Sequence, residues 1–99
     1  MTTVNKEMTF EYPVEEWFTG EYAAIPPHMQ DAIKRYVINR LRPGSFLSSV
    51  ISNDLRGAVN YADADNLPLL PVYVKWFYNR APWCSGNRQQ LEDWLSSKA

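Results

Sequence analysis

Cysteine and histidine are almost absent from this sequence, which has one of each, Cys84 and His28. A single thiol cannot form an intramolecular disulfide, so the core has to be stable without a covalent cross-link, as is usual in a reducing compartment. One histidine and one cysteine are also too few ligands for a structural zinc site. The sequence therefore predicts no metal site and no cofactor.

Glycine is scarce too, and the four glycines are scattered at positions 20, 44, 57 and 86. Their spacing matches neither a dinucleotide-binding loop nor a phosphate-binding loop. Every apolar stretch is soon interrupted by proline or charge, whereas a membrane span needs about 20 apolar residues. The first residues, MTTVNKEMTFEY, lack the basic and apolar regions of a signal peptide. We expect no membrane segment and a cytoplasmic location.

Two groups of side chains have the functional groups that catalysis needs. Cys84 and His28 would make a nucleophile and a base, but Cys84 is better explained as a small space-filling residue or a loop thiol. A protonated His28 at a helix start would face the unfavourable end of the helix dipole. Asp63 and Asp65 resemble helix caps rather than an acid–base pair. We predict that the chain is not an enzyme and has no catalytic residues.

Apolar residues recur at helical spacing along most of the chain. The pattern predicts a mainly α fold, a compact bundle of about four helices in a single domain, with helices over residues 27–41, 46–62, 67–80 and 88–98. The third segment contains VYVKWFY, whose β-branched and aromatic residues make a strand the competing interpretation. Asn87 and Gln90 form the pattern of a capping box at the start of the last helix.

The second predicted helix has the clearest apolar stripe, formed by Leu47, Ile51, Leu55, Ala58 and Ala62. Ser45 is its expected N-cap. Gly57 lies inside the helix and costs up to about 1 kcal/mol relative to alanine. Such a glycine suggests the close approach of another backbone.

Residues 1–26 form an irregular acidic lead, which we expect to pack on the bundle of residues 27–99. The lead has a possible short edge strand at residues 8–12, and Pro13 favours a helical turn that ends before Gly20. Residues 1–27 carry one lysine against five glutamates, a net charge of −4, whereas residues 28–57 carry five cations against two aspartates, a net charge of +3. Either the two segments neutralise each other, or the basic segment meets an acidic partner.

A basic face on the second of these segments is the predicted partner-binding site. Its candidate residues are Lys34, Arg35, Arg42, Asn53 and Arg56. Aromatic residues make up 14% of the chain and offer another contact surface, since some of them lie outside the clearest stripes. These are Trp17, Phe18, Tyr22, Tyr78 and Trp83. Alternatively, Trp17, Phe18 and Tyr22 simply cover the bundle.

Nucleic-acid binding is the main alternative function. A tight Pro-Gly turn joins the first two helices, as in a helix-turn-helix, and the second helix would present Ser49, Ser52, Asn53 and Arg56. The stretch YVKWFYNRAPW also interleaves aromatic and basic residues, as proteins that bind single strands do. The acidic pI of about 5.7 opposes this interpretation, because DNA-binding domains usually have a basic excess.

Five short segments together resemble a family of small proteins encoded by tailed phages and prophages. They are IPPHM (25–29), RYV (35–37), PGSFL (43–47), NDL (53–55) and YN-AP (78–82), and the resemblance covers residues 25–86. It implies an accessory protein made in the cytoplasm of the host cell, and it carries over no site residues. We therefore expect a non-enzymatic protein that binds and modulates a host or phage protein, with homo-oligomers possible.

Overall fold

Helices account for most of the described chain, as the apolar periodicity predicts. A computed structural model of the protein describes residues 13–97. This range contains α1 (Pro27–Asn39), α2 (Ser45–Ile51), α3 (Leu55–Tyr61), α4 (Leu70–Arg80) and α5 (Arg88–Ser96), with 3₁₀ turns at Val14–Glu16, Gly20–Ala24, Leu67–Leu69 and Pro82–Cys84. The mainly α bundle is confirmed, with five α-helices in this range instead of four. The possible strand at residues 8–12 lies outside the described residues.

The core is one cluster of buried side chains, and aromatic rings form its centre. Trp76 of α4 meets Phe77 edge to face, with 5.0 Å between ring centres. Trp17, in the segment before α1, packs edge to face on the Trp76 ring, with 5.6 Å between the ring centres. The backbone carbonyl of Trp17 also accepts a hydrogen bond of 2.8 Å from the indole nitrogen of Trp76. Tyr22 and Ile25 are also buried in this cluster. Residues 13–26 therefore contribute to the core itself.

The prediction of one continuous helix over residues 46–62 is wrong, because the helix is interrupted at residues 52–54. Asn53 has a left-handed backbone with φ of 62°, a conformation that asparagine tolerates better than most residues. The Asp54 carboxylate then caps α3 by accepting a 3.1 Å hydrogen bond from the amide of Gly57. The break rotates α3 relative to α2, so Leu55 is 68% exposed instead of buried. Ser45 is the first residue of α2 rather than its cap, and Gly44 occupies the N-cap position without a side-chain bond.

Position 57 requires glycine because neighbouring side chains occupy the space of a Cβ atom. A Cβ at this position would overlap Asp54 Oδ2 and would lie 2.6 Å from Ser49 Oγ. The expected close approach is therefore present, but it is made by the Asp54 cap and by Ser49, which is buried, rather than by another backbone. A residue larger than glycine would displace the cap.

Gly57→Ala is expected to destabilise the protein by about 1–2 kcal/mol, although alanine is the better helix former. The added methyl group displaces the Asp54 carboxylate, whose cap contributes about 1 kcal/mol, and crowds Ser49. In an Asp54→Ala background no cap remains to be lost, so the cost of Gly57→Ala should fall by about 1 kcal/mol. Urea unfolding of the four proteins, followed by circular dichroism, measures this coupling. Equal costs in both backgrounds would contradict the role of the cap.

The remaining helices agree with the sequence except at their ends. The segment VYVKWFY is helical, so the strand alternative is wrong. Leu67–Leu69 forms a 3₁₀ turn before α4 starts at Leu70, because Pro71 has no amide hydrogen to donate in a longer helix. The Asn87 side chain accepts a 2.8 Å hydrogen bond from the amide of Gln90, as expected for the cap of α5. Across residues 13–97, no helix has both the length and the apolar character to cross a bilayer.

The end of α1 is fixed against α5. The Trp94 indole donates to the carbonyl of Tyr36 at 2.9 Å. Arg40 ends α1 with a left-handed backbone, and its guanidinium carbon lies 4.0 Å from the centre of the Trp94 ring. The same guanidinium donates to the carbonyl and the hydroxyl of Ser97. These contacts hold α5 against α1.

Candidate functional site

An open pocket of about 330 Å³ lies between α2, α4 and the loop that follows α4. Its lining consists of Val50, Asn53, Val74, Phe77, Tyr78, Pro82, Ser85 and Gly86. Five of these side chains are apolar or aromatic, and none is charged. The size and character of the pocket are those of a site that takes an apolar group, since ligand pockets are mostly apolar clefts of about 300–1,000 Å³.

Helical spacing and one long-range hydrogen bond build the pocket. Val74 and Tyr78 are four residues apart on α4, so their side chains lie on the same side of the helix. Phe77 is buried beside them. The amide of Gly86 donates to the carbonyl of Ile51, the last residue of α2, at 2.7 Å. This bond holds the loop after α4 against the end of α2, so the walls of the pocket are fixed to one another.

The rim of the pocket has apolar surface and polar groups that no neighbour binds. Tyr78 is 76% exposed and Val74 is 48% exposed. Within residues 13–97, neither the Tyr78 hydroxyl nor the side-chain amide of Asn53 makes a hydrogen bond to protein, whereas the Ser85 hydroxyl donates to the carbonyl of Ala81 at 2.9 Å. An apolar pocket with a few polar groups on its rim is the usual form of a binding site.

The predicted basic face is divided among different parts of the fold. Lys34 has its ammonium nitrogen 6.0 Å from the centre of the Phe18 ring. Arg42 instead pairs with Glu92 of α5 at 2.8 Å, and this hydrogen bond lowers the pKa of the Glu92 carboxyl. Arg35 is exposed on α1. Lys34 and Arg42 therefore have different neighbours.

Of the five candidate residues, the pocket takes in Asn53 alone. Arg56 is exposed on α3, and neither it nor Arg35 forms an ion pair with any residue between 13 and 97. No described residue of the acidic lead forms an ion pair with the basic segment, and Glu21 instead pairs with Lys75 of α4 at 3.4 Å. Arg35 and Arg56 are thus the two candidate cations that keep exposed, unpaired charge among the described residues, and the basic face stays a prediction.

The aromatic residues divide sharply between core and surface. Trp17 is 3% exposed and Tyr22 is also buried, whereas Phe18 and Trp83 are half-buried. The interpretation in which the lead aromatics cover the bundle is therefore right for Trp17 and Tyr22. Tyr78 is the one member of the predicted aromatic set that is largely exposed, and it is the one that lines the pocket.

Cys84 is buried in the core rather than exposed in its loop. Burial raises the pKa of its thiol to about 12, which disfavours the nucleophilic thiolate near pH 7. The carbonyl of the same residue accepts a 2.7 Å hydrogen bond from the hydroxyl of Tyr36. His28, the other member of the candidate pair, is exposed. Cys84 is thus part of the packing of α1 against the loop after α4.

The helix that a helix-turn-helix would place on DNA is not formed as predicted. Residues 46–62 are two seven-residue helices instead of one. Ser49 is buried, and the Ser52 hydroxyl donates to the carbonyl of Ser48 at 2.7 Å. Two of the four side chains expected to face nucleic acid are therefore turned to the protein itself.

The chain matches no protein-family model, no curated protein and no solved structure. Among residues 13–97, no three His, Cys, Asp or Glu side chains come together in a group that could hold a metal ion. The proposal below starts from the uncharged pocket.

Proposed function

We propose that this chain is a non-enzymatic accessory protein that binds a host or phage protein through the pocket between α2 and α4. The observation that carries the proposal is the 76% exposure of Tyr78 at the edge of an uncharged apolar pocket. Tyrosine is one of the residues that most often dominate the energy of a protein interface. The resemblance to phage proteins supplies the cellular setting of the proposal.

The composition of the pocket supports a protein partner. Charged residues make up 21% of the chain, yet none of them lines this pocket. The central part of a protein interface is depleted of charge and enriched in aromatic side chains in the same way. Val74 and Tyr78 also leave apolar surface in water next to the pocket, and a partner would remove that surface from water.

Photo-crosslinking in the host cell tests this proposal. Tyr78 is replaced by the photoreactive amino acid p-benzoylphenylalanine, and the same replacement at Tyr61 serves as the matched control, because Tyr61 is also exposed, at 56%, but does not line the pocket. We expect a discrete protein adduct from position 78 and none from position 61. Equal adducts from both positions, or none from either, would contradict the proposal.

The partner identified in this way is then purified and titrated. Val74→Asp places a charge at the pocket rim and is expected to weaken partner binding at least about tenfold, since burying an unpaired charge is strongly unfavourable. Ile38→Asp is the control, because Ile38 is a similarly exposed β-branched residue on α1. Isothermal titration calorimetry gives both dissociation constants. The same loss in both variants would indicate a general effect of charge.

Nucleic-acid binding is the alternative, and exposed Arg35 and Arg56 are the residues that favour it. Phosphate contacts would make such binding strong at low salt and steeply dependent on it. A fluorescence titration with single- and double-stranded oligonucleotides at about 50 mM salt measures it. A steep salt slope that Arg35→Glu and Arg56→Glu reduce would favour this alternative over the pocket.

A further inference from the structure

The geometry points to the part of the partner that enters the pocket: an extended peptide segment that inserts one large, uncharged, apolar side chain, with its backbone hydrogen-bonded by Asn53. This inference rests on the proposed function and specifies the chemistry of the partner. Three features of the pocket carry it, namely its lack of charge, its size and the free amide on its rim.

The absence of charge selects an uncharged side chain. All eight lining residues are neutral, so a charged group that entered would lose water without gaining an opposite charge. Burying an unpaired charge is strongly unfavourable. Val50, Val74, Phe77 and Pro82 offer dispersion contacts instead, which an aliphatic or aromatic side chain satisfies.

The size of the pocket limits how much can enter. At about 330 Å³, it is near the lower end of the range of ligand pockets, about 300–1,000 Å³. One large side chain with the adjoining backbone fits that space better than a nucleotide cofactor does. The pocket is also open to solvent along the exposed faces of Val74 and Tyr78, so a bound chain can continue out of it.

Asn53 has the functional groups that a peptide backbone needs. Its side chain offers one carbonyl acceptor and two N–H donors, and none of them forms a hydrogen bond with residues 13–97. A bound backbone must satisfy its own N–H and C=O groups, and an amide satisfies one of each. Asn53 lies in a left-handed turn, and the hydrogen bond from Gly86 to Ile51 holds the neighbouring backbone. The backbone of Asn53 is therefore positioned in the free protein.

Small probes test the inference on the full chain by NMR of the ¹⁵N-labelled protein. N-acetyl-phenylalaninamide carries both the side chain and the backbone groups, toluene carries the side chain alone, and N-acetyl-lysinamide carries a charged side chain. We expect the phenylalanine probe to shift the amide signals of Asn53, Val74 and Gly86, with a dissociation constant on the order of 1 mM. We expect the lysine probe to leave them unmoved.

Asn53→Gly isolates the amide from the turn, because glycine accepts a positive φ without strain. This variant is expected to raise the dissociation constant of N-acetyl-phenylalaninamide about two- to tenfold, because one or two hydrogen bonds are lost. It should leave toluene binding unchanged. Val74→Asp is the second variant. It should weaken the binding of both N-acetyl-phenylalaninamide and toluene, since it introduces a charge beside the inserted ring.

Four results would overturn the inference. They are an absence of localised shifts with the phenylalanine probe, equal binding of the lysine probe, equal effects of Asn53→Gly on both aromatic probes, and shifts of the same signals on raising protein concentration alone, which would place a second copy in the pocket. Its failure is distinct from that of the proposed function. Probe binding without a cross-linked partner contradicts only the function, and a cross-linked partner without probe binding contradicts only the inferred segment.

Discussion

Replacing Trp76 with alanine is expected to lower the free energy of unfolding by about 3–5 kcal/mol, the usual cost of truncating a buried tryptophan or phenylalanine. A domain of this size has about 5–15 kcal/mol in total, so the loss is a large share of the stability. The reason lies in the position of the ring, which contacts Trp17, Phe18 and Phe77. Urea unfolding followed by circular dichroism measures the loss.

Trp76→Phe separates the volume of the ring from its hydrogen bond. Phenylalanine keeps most of the packing and removes the 2.8 Å bond from the indole nitrogen to the carbonyl of Trp17. We expect a smaller loss, about 1–3 kcal/mol. Trp94→Ala is the control, since Trp94 is only partly buried. If Trp94→Ala cost as much as Trp76→Ala, the centre of the core would have been placed wrongly.

Three of the four predicted helices follow from the sequence, because their apolar stripes and end signals agree. Pro27 starts α1 at the expected residue, and Asn87 caps α5 by the bond expected of it. At α4 the 3.6-residue spacing of Val72, Tyr73, Trp76 and Phe77 outweighs the strand propensity of the same residues. Where periodicity and caps point to the same element, the sequence is sufficient.

The break between α2 and α3 shows where periodicity misleads. Ile51, Ala58 and Ala62 keep the helical spacing across it, which is why one continuous helix was predicted. The run Ser52, Asn53 and Asp54 holds the opposing signal, since each of these residues favours turns and caps. The left-handed Asn53 and the Asp54 cap could thus be predicted from these three residues. The longer apolar stripe, however, favours one continuous helix.

The pocket could not be predicted from the sequence, because three separated segments form it. Val50 comes from α2 and Asn53 from the turn after it, Val74 and Tyr78 come from α4, and Gly86 comes from the loop after α4. The only local signal was the spacing of Val74 and Tyr78, four residues apart and off the buried face of α4. Counting charges selected Lys34 and Arg42 instead, and those side chains have neighbours within the fold.

Alkaline pH is expected to unfold the protein through groups that the core keeps protonated. Burial raises the pKa of Cys84 from 9.0 to about 12 and that of Tyr73 from 10.0 to about 12, and it also raises the pKa of Tyr36. Each of these groups is neutral when protonated. Above its unfolded pKa the unfolded chain releases a proton that the folded chain retains, so the stability falls as the pH rises.

The size of this effect follows from the acidity constants. A tenfold change in an acidity constant corresponds to about 1.4 kcal/mol, so the change at Cys84 alone corresponds to about 4 kcal/mol between pH 9 and pH 12. The stability from Cys84 is fully present below pH 9 and is lost progressively up to pH 12, and that from Tyr73 is lost between pH 10 and pH 12. Between about pH 9 and pH 10 the thiol titrates in the unfolded chain before the two tyrosines do.

Cys84→Ala therefore isolates the thiol in that narrow interval. Alanine leaves a small void and is expected to cost about 1 kcal/mol at pH 7. Between pH 9 and pH 10, however, the free energy of unfolding of the variant should fall by only about 0.7 kcal/mol, through Tyr36 and Tyr73, whereas that of the unmodified protein should fall by about 1.7 kcal/mol. Urea titrations at closely spaced pH values, with a reductant present, give both slopes. Parallel slopes in this interval would mean that the folded chain releases the Cys84 proton as readily as the unfolded chain does, which is incompatible with a thiol buried against Tyr36 and the end of α4.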